Sequence, residues 1–532
     1  MSDAWIAFAR SCDPNHPGLQ KWPAFTAKEV AVMIFDHKVR NPDESGQRSS
    51  LRSLRHKTYH REMLMKPTIR CGIRSVLAAF FSCSCAFGAD VARGHLRAGA
   101  ARVDITPPVN PQYPPSGKYE HEHLYVRSIV LDNGVTRAAL LNADLAHMTE
   151  ELWANASKQI AEELKCPVEN IIISAIHTHS GRPAGPPASA VSVMPPIATM
   201  VSAMLDAVKE AKAKLQPAQV AFGTGFSYLN ANRDAVSDKT HRWTQAPNLN
   251  AVSDKTVAVV TFTTPAGDPI AAYVNYAMHP INGYLVGITS ADFPGAASRY
   301  VEEAFDDKMV MEFSQGASGD QNPLLMRSST NALASLSGVK ITGYDLVRED
   351  VEGPLRDGKV PFGKLDLKVA DRFERWIESE GDVLGEEVIR VMTNSRNRRS
   401  EVPIWGAQET ISCPGRVRAD TNTGREGEPG IYKDGDPVNI RLGMIGVGDI
   451  ALTAVNAELY TMIGQRTKRH SPMANTVVVT LANGRASSGY IPDDASFGRN
   501  TFQVLGSRLK PGCAEQGIAD GLDDLVNQYM SR

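Results

Sequence analysis

From Ala98 onward, short apolar runs that resemble strands alternate with segments whose apolar residues recur at helical spacing. Residues 126–132 and 137–141 predict two strands joined by an Asn-Gly turn, which is a strong hairpin signal. Glu150–Leu164 predicts a helix that leads into a strand over 171–176. This alternation indicates an α/β fold in which helices flank the sheets, and the hairpins make those sheets mixed.

Other segments continue the pattern, and two interrupt it. Further helices are predicted over 200–215, 371–391 and 458–468, and further strands over 220–223, 257–263, 270–276, 309–313, 450–455 and 476–481. Residues 343–364 and 413–436 are rich in Gly, Pro and charge. We expect both to be surface loops that cover a site.

The composition is that of an ordinary soluble protein. The chain has 532 residues, a formal net charge of -2 and 22% charged residues, which is long enough for one large core or two medium ones. No basic excess points to a nucleic-acid partner, and no apolar run is long enough to span a membrane.

Residues 63–89 have the pattern of a secretory signal. Lys66, Arg70 and Arg74 precede the apolar run 76–81, and small residues follow as far as Ala89. We therefore predict cleavage near Ala89, export to the periplasm or outside the cell, and a functional domain over 90–532 without a transmembrane anchor. A short buried helix is the alternative interpretation.

Three cysteines lie in the predicted domain: Cys166, Cys413 and Cys513. An odd set of three allows at most one disulfide, so the domain is not a disulfide-stapled framework.

Residues 1–62 resemble the C-terminal end of type-B carboxylesterases. The resemblance lies in residues 1–10, 13–15 and 22–24. In such an enzyme the catalytic serine, acid and histidine lie upstream of this tail, so nothing catalytic comes with it. We interpret residues 1–62 as a non-functional remnant and expect them to be dispensable.

The predicted strand over 171–176 ends in His177-Thr178-His179-Ser180-Gly181. Residues i and i+2 of an extended chain point to the same side, so His177 and His179 would project together, ~7 Å apart at the backbone. This arrangement suits a metal site, although two hydrogen-bonded histidines near a loop would give the same pattern.

A second histidine and a carboxylate occur in similar settings. His279 follows the predicted strand over 270–276, and Glu458 follows the strand over 450–455 and opens a predicted helix. Ligands of α/β sheets collect at the carboxyl ends of strands, so these residues are expected to converge. Two histidines and a glutamate form a common ligand set for catalytic zinc, whereas helix-dipole compensation alone would also explain Glu458.

Several motifs occur in the order seen in the neutral/alkaline non-lysosomal ceramidase family, which the chain resembles from about residue 97 to its end. They are Arg102-Val103-Asp104-Ile105-Thr106-Pro107, His177-Thr178-His179-Ser180-Gly181, Asn230-Ala231-Asn232-Arg233, Met278-His279-Pro280, Ser290-Ala291-Asp292-Phe293-Pro294-Gly295, Gln315-Gly316-Ala317-Ser318-Gly319-Asp320 and Asn456-Ala457-Glu458-Leu459-Tyr460. The resemblance implies a Zn²⁺ held by His177, His279, Glu458 and Tyr490. It also implies that His179 and Arg233 lie beside the metal and contact the scissile group.

The sequence departs from that family in two respects. Ceramidases carry an active-site serine where Gly319-Asp320-Gln321-Asn322-Pro323 has Asn322. They also continue into an immunoglobulin-like sandwich, for which we expect no room after Tyr490. The expected fold is therefore a ceramidase-like catalytic domain without that second domain, and Asp320 and Asn322 are expected to contact the substrate or support the site.

The chemistry of the other candidates follows from their residue types. Zinc lowers the pKa of bound water toward ~7, and a neutral imidazole such as His179 can accept the water proton. Arg233 or the Tyr490 hydroxyl would stabilise an oxyanion. Asp144 and Asp292 are candidates to orient a ligand histidine, although turn formation or helix capping is an equal explanation. His121 and His123 also alternate, but they precede a strand, so metal binding is not expected of them.

Three functions remain open at this stage. The first is a zinc amidohydrolase that cleaves an N-acyl bond in a small molecule or lipid. The second is a zinc hydrolase of esters or lactones, for which Asn322 leaves room. The third is a lipid-binding protein without turnover, which the presence of all four proposed ligands disfavours. A serine hydrolase is not expected, because no Gly-x-Ser-x-Gly motif occurs in a strand-turn-helix context.

Overall fold

A computed structural model describes residues 92–109, 123–181, 195–283, 289–325, 367–420 and 427–532. The predicted remnant, the signal segment, His121 and the predicted loop 343–364 lie outside the described residues. The strands are β1 (Gly94–His95), β2 (Arg97–Asp104), β3 (Tyr125–Asp132), β4 (Arg137–Ala143), β5 (Ile171–Ala175), β6 (Gln216–Pro217), β7 (Gln219–Phe226), β8 (Asn230–Val236), β9 (Trp243–Asn248), β10 (Thr256–Thr263), β11 (Pro269–Tyr276), β12 (Val310–Gln315), β13 (Gln321–Pro323), β14 (Glu401–Val402), β15 (Ile404–Arg418), β16 (Tyr432–Val447), β17 (Ile450–Val455), β18 (Glu458–Leu459), β19 (Asn475–Val479) and β20 (Tyr490–Ile491).

The helices are α1 (Glu150–Leu164), α2 (Ile197–Ala213), α3 (Asp292–Ala304), α4 (Leu367–Asn394), α5 (Thr461–His470), α6 (Phe502–Gly506) and α7 (Ala514–Met530). Local chemistry explains where α1 begins and ends. The Thr149 side chain accepts a hydrogen bond from the Leu152 N–H, and Lys165 takes a left-handed conformation after the last turn.

Three of the sheets are large, and all three are mixed. Their strand orders are β5-β4-β3-β2-β6, β12-β11-β10-β7 and β15-β16-β17-β19. In each of them, most neighbouring strands are antiparallel and one edge pair is parallel: β4 with β5, β11 with β12, and β17 with β19. A three-stranded sheet, β13-β8-β9, and the pairs β1-β14 and β18-β20 complete the strand pairing of the described residues.

One central core is shared by the three large sheets. Ile129 of the first, Tyr273 of the second and Leu452 of the third belong to the same cluster of buried side chains. The outward face of each sheet is covered by helices: α1 and α2 on the first, α3 and α4 on the second, and α5 and α7 on the third. The expected α/β fold of mixed sheets flanked by helices is confirmed, and in each large sheet an inner strand, β4, β11 or β17, is buried on both faces.

Several local predictions are confirmed. The strands on either side of the Asn-Gly turn are β3 and β4, with Asp132 opposite Arg137, and Gly134 at the turn has a φ of +79°. The helix predicted over Glu150–Leu164 is α1.

Two local predictions are wrong. Residues 413–436 contain the end of β15 and the start of β16, a long hairpin, rather than a surface loop throughout. Its partly exposed faces and the bulge after Cys413 hide the strand pattern. Glu458 does not open a helix either, because Glu458–Leu459 forms β18 and α5 begins at Thr461.

A disulfide joins Cys413 of β15 to Cys513, the residue before α7, across a sequence separation of 100 residues. Cys166 is free and half-buried. Among the described residues, no helix combines the length and the apolar character that a membrane crossing requires.

Candidate metal centre

His177 lies two residues beyond β5, where the chain leaves the extended conformation with a φ of +75°. Its backbone N–H donates to the Leu145 carbonyl at 3.0 Å, and its Nδ1 lies 2.6 Å from the Ala146 carbonyl oxygen. These two bonds fix the ring, so that Nε2 points away from the strand. The extended geometry expected for His177 and His179 is therefore not kept, yet their ring centroids lie 4.8 Å apart.

His279 lies three residues beyond β11, in a different sheet, and is 1% exposed. Its Nδ1 lies 3.0 Å from the carbonyl oxygen of Gln321, which also accepts a bond from the His279 backbone N–H at 3.1 Å. The ring centroids of His177 and His279 lie 4.7 Å apart. The expectation that two strand ends bring their histidines together is thus met across two sheets.

Glu458 joins the two histidines from the short strand β18. This strand pairs in parallel with β20, and Glu458 is the register partner of Tyr490. The Glu458 Oε2 atom lies 3.2 Å from Nε2 of His177 and 3.3 Å from Nε2 of His279. One carboxylate oxygen therefore contacts both histidines at a buried point.

The hydrogen bonds of the two rings show that a cation is needed at this point. A carbonyl oxygen can only accept a hydrogen bond, so in the neutral imidazole Nδ1 carries the hydrogen on both His177 and His279. Each Nε2 then presents a lone pair to the Glu458 carboxylate, which also carries only lone pairs. Without a proton or a metal ion, these three atoms would repel one another.

The pKa values of His279 and Glu458 are both lowered. Burial is the main reason why the pKa of His279 falls to about 3, and the positive charge of Arg233 adds to the decrease. Burial alone would raise the pKa of Glu458, but the neighbouring imidazoles of His177 and His279 outweigh it and bring that pKa well below its ordinary value. At neutral pH the site therefore offers a neutral His279 and an ionised carboxylate.

The spacing also suits a metal ion. Two ligands that bind zinc at ~2.0–2.2 Å with tetrahedral angles lie roughly 3.3–3.6 Å apart. The distances from Glu458 to the two histidines, 3.2 and 3.3 Å, are close to that range. His179 Nε2 lies 3.5 Å from His177 Nε2, and ring nitrogens of His177, His179 and His279 all lie within 4.8 Å of one another. The donor set thus fits a metal ion, and the spacing of His179 from His177 is also that of a ligand.

Arg233 supplies a fixed positive charge next to the three histidines. It is 3% exposed and donates to the Asn322 side-chain oxygen at 3.1 Å, to the Gly319 carbonyl oxygen and to the Tyr490 hydroxyl at 3.3 Å. The rings of Tyr490 and Phe502 lie 5.6 and 5.1 Å from its guanidinium. The structure therefore brings Arg233, Asn322 and Tyr490 together as one group.

The predicted supporting carboxylates have partners other than the histidine Nδ1 atoms. Asp144 forms a buried pair with Arg127 at 3.2 Å and accepts the Tyr125 backbone N–H at 2.8 Å. Asp292 accepts bonds from the Asn282 side chain and the Gly283 N–H, both at 2.9 Å. Backbone carbonyls, not these carboxylates, orient the rings of His177 and His279.

Two further candidates from the sequence have clear positions. Asp320 accepts the Asn232 side-chain amide at 2.7 Å and the Thr461 N–H at 2.8 Å, so it connects β8 to the start of α5. His123 pairs with Asp104 at 2.6 Å and is largely exposed. Asp320 thus supports the segment that carries Arg233, and His123 is outside the histidine group.

His147 is a member of the site's surroundings that the sequence did not reveal. Burial lowers its pKa to about 4, and the charges of Arg485 and His177 add to that decrease. Its neighbour Ala146 supplies the carbonyl that orients His177. No apolar strand ends directly before His147, so the pattern that singled out His177 and His279 was missing.

Residues 113–356 match the sequence family described as neutral/alkaline non-lysosomal ceramidase, N-terminal. That segment contains His177, His179, Arg233 and His279, whereas Glu458 and Tyr490 lie beyond it.

Two solved structures share the fold. One is a ceramidase complexed with C2, with 15% sequence identity, a TM-score of 0.58, and coverage of 81% of this chain and 75% of that chain. The other is the neutral ceramidase from Pseudomonas aeruginosa, with 14% identity, a TM-score of 0.55, and coverage of 82% and 74%. At such identities the likeness establishes the fold.

Proposed function

We propose that this chain, of which residues 113–356 match the N-terminal domain of the neutral/alkaline non-lysosomal ceramidase family, is a zinc-dependent hydrolase of an N-acyl amide bond. The observation that carries this proposal is the meeting of His177 Nε2, His279 Nε2 and Glu458 Oε2 at one buried point. Zinc is the proposed ion because histidine and carboxylate ligands with tetrahedral spacing suit it.

When bound, zinc supplies a Lewis acid that polarises the scissile carbonyl and makes hydroxide available near neutral pH. His179 is assigned to proton transfer. Its backbone N–H donates to the Pro280 carbonyl at 3.2 Å, which keeps it beside the ligands. Its imidazole accepts the proton of the attacking water and returns it to the leaving amine as the C–N bond breaks. The products are a carboxylate and an amine.

Arg233 is assigned to the oxygen that gains negative charge during the attack. Its guanidinium is held in place by Gly319 and Asn322, so little reorganisation is needed when the charge develops. The Tyr490 hydroxyl, 3.3 Å from Arg233, lies on the same side because Tyr490 is paired with Glu458. We assign it to the same oxygen or, as the family resemblance implies, to the metal.

Hydrolysis of an ester or lactone at the same centre is the second candidate. The observation that favours it is Asn322, which stands where ceramidases have a serine and which accepts a bond from Arg233. An amide side chain at this position changes the group that meets the substrate but leaves the ligand histidines in place.

We further propose that the protein acts in the periplasm or outside the cell. The support is the predicted signal segment together with the Cys413–Cys513 disulfide, since disulfides persist in oxidising compartments. The proposed ligand set does not depend on this location.

The test combines metal analysis with matched substrates. Purified full-length protein should contain about one zinc per chain and should cleave an N-acyl amide faster than the ester of the same acyl chain. His177→Ala is the matched control and should lose both zinc and turnover. Faster cleavage of the ester would favour the second candidate, and a zinc-loaded protein inactive on both substrates would leave a binding protein instead.

A further inference from the structure

A cavity of about 580 Å³ lies against the β15-β16 hairpin. Its wall includes residues of β15 and β16 and of the segment between β19 and β20. The charged residues that line it are Glu150, Arg416, Asp436, Arg441, Arg485 and Arg508. Four of these six side chains are arginines, so the cavity carries a positive excess.

Two of the arginines have structural partners. Arg441 forms a two-pronged pair with Glu150, at 2.6 and 3.0 Å, and lies over the Trp153 ring at 3.7 Å. Arg416 donates to the backbone carbonyls of Val504 and Ser507, at 2.6 and 3.2 Å. The guanidinium groups of Arg441 and Arg416 therefore form hydrogen bonds that hold the fold together.

The other two arginines are available. Arg485 and Arg508 are exposed, and neither guanidinium forms an ion pair or donates a hydrogen bond to any described residue. Asp436 is the remaining carboxylate of the lining, and it forms no ion pair with either of them within the described part of the chain. Apart from the Arg441–Glu150 pair, the cavity thus has three guanidinium groups, those of Arg416, Arg485 and Arg508, against one carboxylate.

Two stretches of chain connect the lining of the cavity to the metal centre. Arg485 lies five residues before Tyr490, and the Arg508 N–H donates to the hydroxyl of Ser488, which in turn donates to the Tyr490 carbonyl at 2.9 Å. Asn456, two residues before Glu458, also lines the cavity. His147 is close to both, because the charges of Arg485 and His177 each lower its pKa.

We propose that this cavity holds an anionic group of the substrate, a carboxylate, phosphate or sulfate, between Arg485 and Arg508 while the N-acyl bond lies at the metal centre. The arginine fork matches such oxyanions with two parallel hydrogen bonds, which a neutral amide or alcohol cannot replace. This inference rests on the proposed function and narrows it: the preferred substrates are N-acyl compounds with a negative charge on the amine side.

The test uses two substrates that differ only in charge, an N-acylglycine and the corresponding N-acylglycinamide. Wild-type protein should show a lower KM for N-acylglycine. Arg485→Gln and Arg508→Gln should each raise that KM about ten- to a hundred-fold, the usual effect of losing a charge-assisted hydrogen bond, and should leave the KM for N-acylglycinamide nearly unchanged. Arg469→Gln, which removes an exposed charge outside the lining, is the control.

Equal KM values for the two substrates in the wild-type protein would overturn the proposal, as would a preference that survives in both variants. If inorganic phosphate binds in calorimetry and N-acylglycine shows no preference, the cavity serves a free anion and the substrate assignment is wrong. If neither substrate is cleaved, the proposed function fails on its own. In that case, calorimetry tests the cavity by comparing the Kd of N-acylglycine with that of N-acylglycinamide. The wild-type protein should bind N-acylglycine more tightly, and Arg485→Gln should make the two Kd values equal.

Discussion

The backbone of His177 adopts a φ of +75°, a value that residues with a Cβ rarely take. Such a conformation costs about 1–3 kcal/mol and persists only where the surrounding structure enforces it. Here the bonds to Leu145 and Ala146 enforce it, and they aim Nε2 at Glu458. We infer that this strain is retained because an extended residue would direct the ring elsewhere.

Replacing each histidine of the His-Thr-His element by alanine in turn separates metal binding from proton transfer. His177→Ala should lose the metal, because it removes a ring nitrogen 3.2 Å from Glu458. His179→Ala should keep about one zinc per chain while kcat falls ~10²- to 10⁴-fold, the usual contribution of a general acid–base group. Metal analysis and steady-state kinetics measure both effects.

His123→Ala is the control for this pair, since the His123 ring pairs with Asp104 outside the cluster. Loss of zinc in the His179 variant and its retention in the His177 variant would reverse the two roles. Normal turnover in both variants would remove this element from the active site.

Asp234, next to Arg233, gives the stability a pH dependence. Burial raises the pKa of Asp234 to about 6, Asp320 adds to the increase, and Arg499 opposes it. A carboxyl whose folded pKa exceeds its ordinary value of 3.8 holds its proton longer in the folded state, so stability falls as the pH rises from about 4 to 6.

Asp234→Asn should remove this dependence. Relative to the variant, the wild-type protein should lose about 3 kcal/mol of unfolding free energy in total as the pH rises, about 2 kcal/mol of it between pH 4 and 6, since each pKa unit corresponds to about 1.4 kcal/mol. Urea denaturation at several pH values gives the difference. A difference that is constant with pH would contradict the assignment.

At the scale of elements, the contact between α3 and α4 supports the site. Helix α3 begins at Asp292, two residues after Ser290, which contacts the His-Thr-His element. The Thr178 hydroxyl donates to the Ser290 carbonyl at 2.7 Å, and the Ser290 N–H donates to the Ser180 carbonyl at 3.0 Å. Gly381 of α4 packs against Ala296 of α3, and an added Cβ would lie 2.8 Å from the Ala296 carbonyl carbon.

Gly381→Ala should therefore separate the two helices. We expect a loss of about 1–3 kcal/mol in unfolding free energy, the typical cost of overpacking, even though alanine favours helix formation. The matched control is Gly506→Ala at the end of α6, where an added Cβ meets no atom within 4 Å. An unchanged unfolding free energy in Gly381→Ala would show that α4 can shift to accommodate the added Cβ without loss of stability.

The same scale shows which parts of the site the sequence could predict. His177 and His279 follow strongly apolar strands, so their position at strand ends was visible in the pattern. The role of β18 was not visible, because this two-residue strand pairs with β20 across more than 30 residues and no local periodicity records that pairing. The carbonyls of Ala146 and Gln321 were hidden for another reason: any residue type can supply a backbone oxygen.

For the whole molecule, the proposed ligands lie on three separate sheets. His177 follows the first large sheet, His279 follows the second, and Glu458 belongs to the β18-β20 pair, which continues from the third. An ion shared by these residues connects three parts of the fold at one point. Metal binding should therefore stabilise the molecule as a whole rather than one loop.

Removing the metal tests this expectation. A chelator should lower the unfolding temperature of the wild-type protein, because a ligand present at a thousand times its Kd stabilises the folded state by about 4 kcal/mol. His177→Ala protein should unfold at the same temperature with and without the chelator. Calorimetry gives both temperatures, and an unchanged wild-type value would show that no ion connects the sheets.

The Cys413–Cys513 disulfide divides the proposed active site in a way that distance alone does not show. Glu458 and Tyr490 lie inside the covalent ring that this bond closes, whereas His177, His279 and Arg233 lie outside it. Before oxidation, the unfolded chain places no covalent limit on the positions of Glu458 and Tyr490 relative to His177, His279 and Arg233. After oxidation, a closed loop of 100 residues reduces the conformational freedom of Glu458 and Tyr490. The oxidation state of the compartment therefore decides how readily a newly made chain assembles its ligand set.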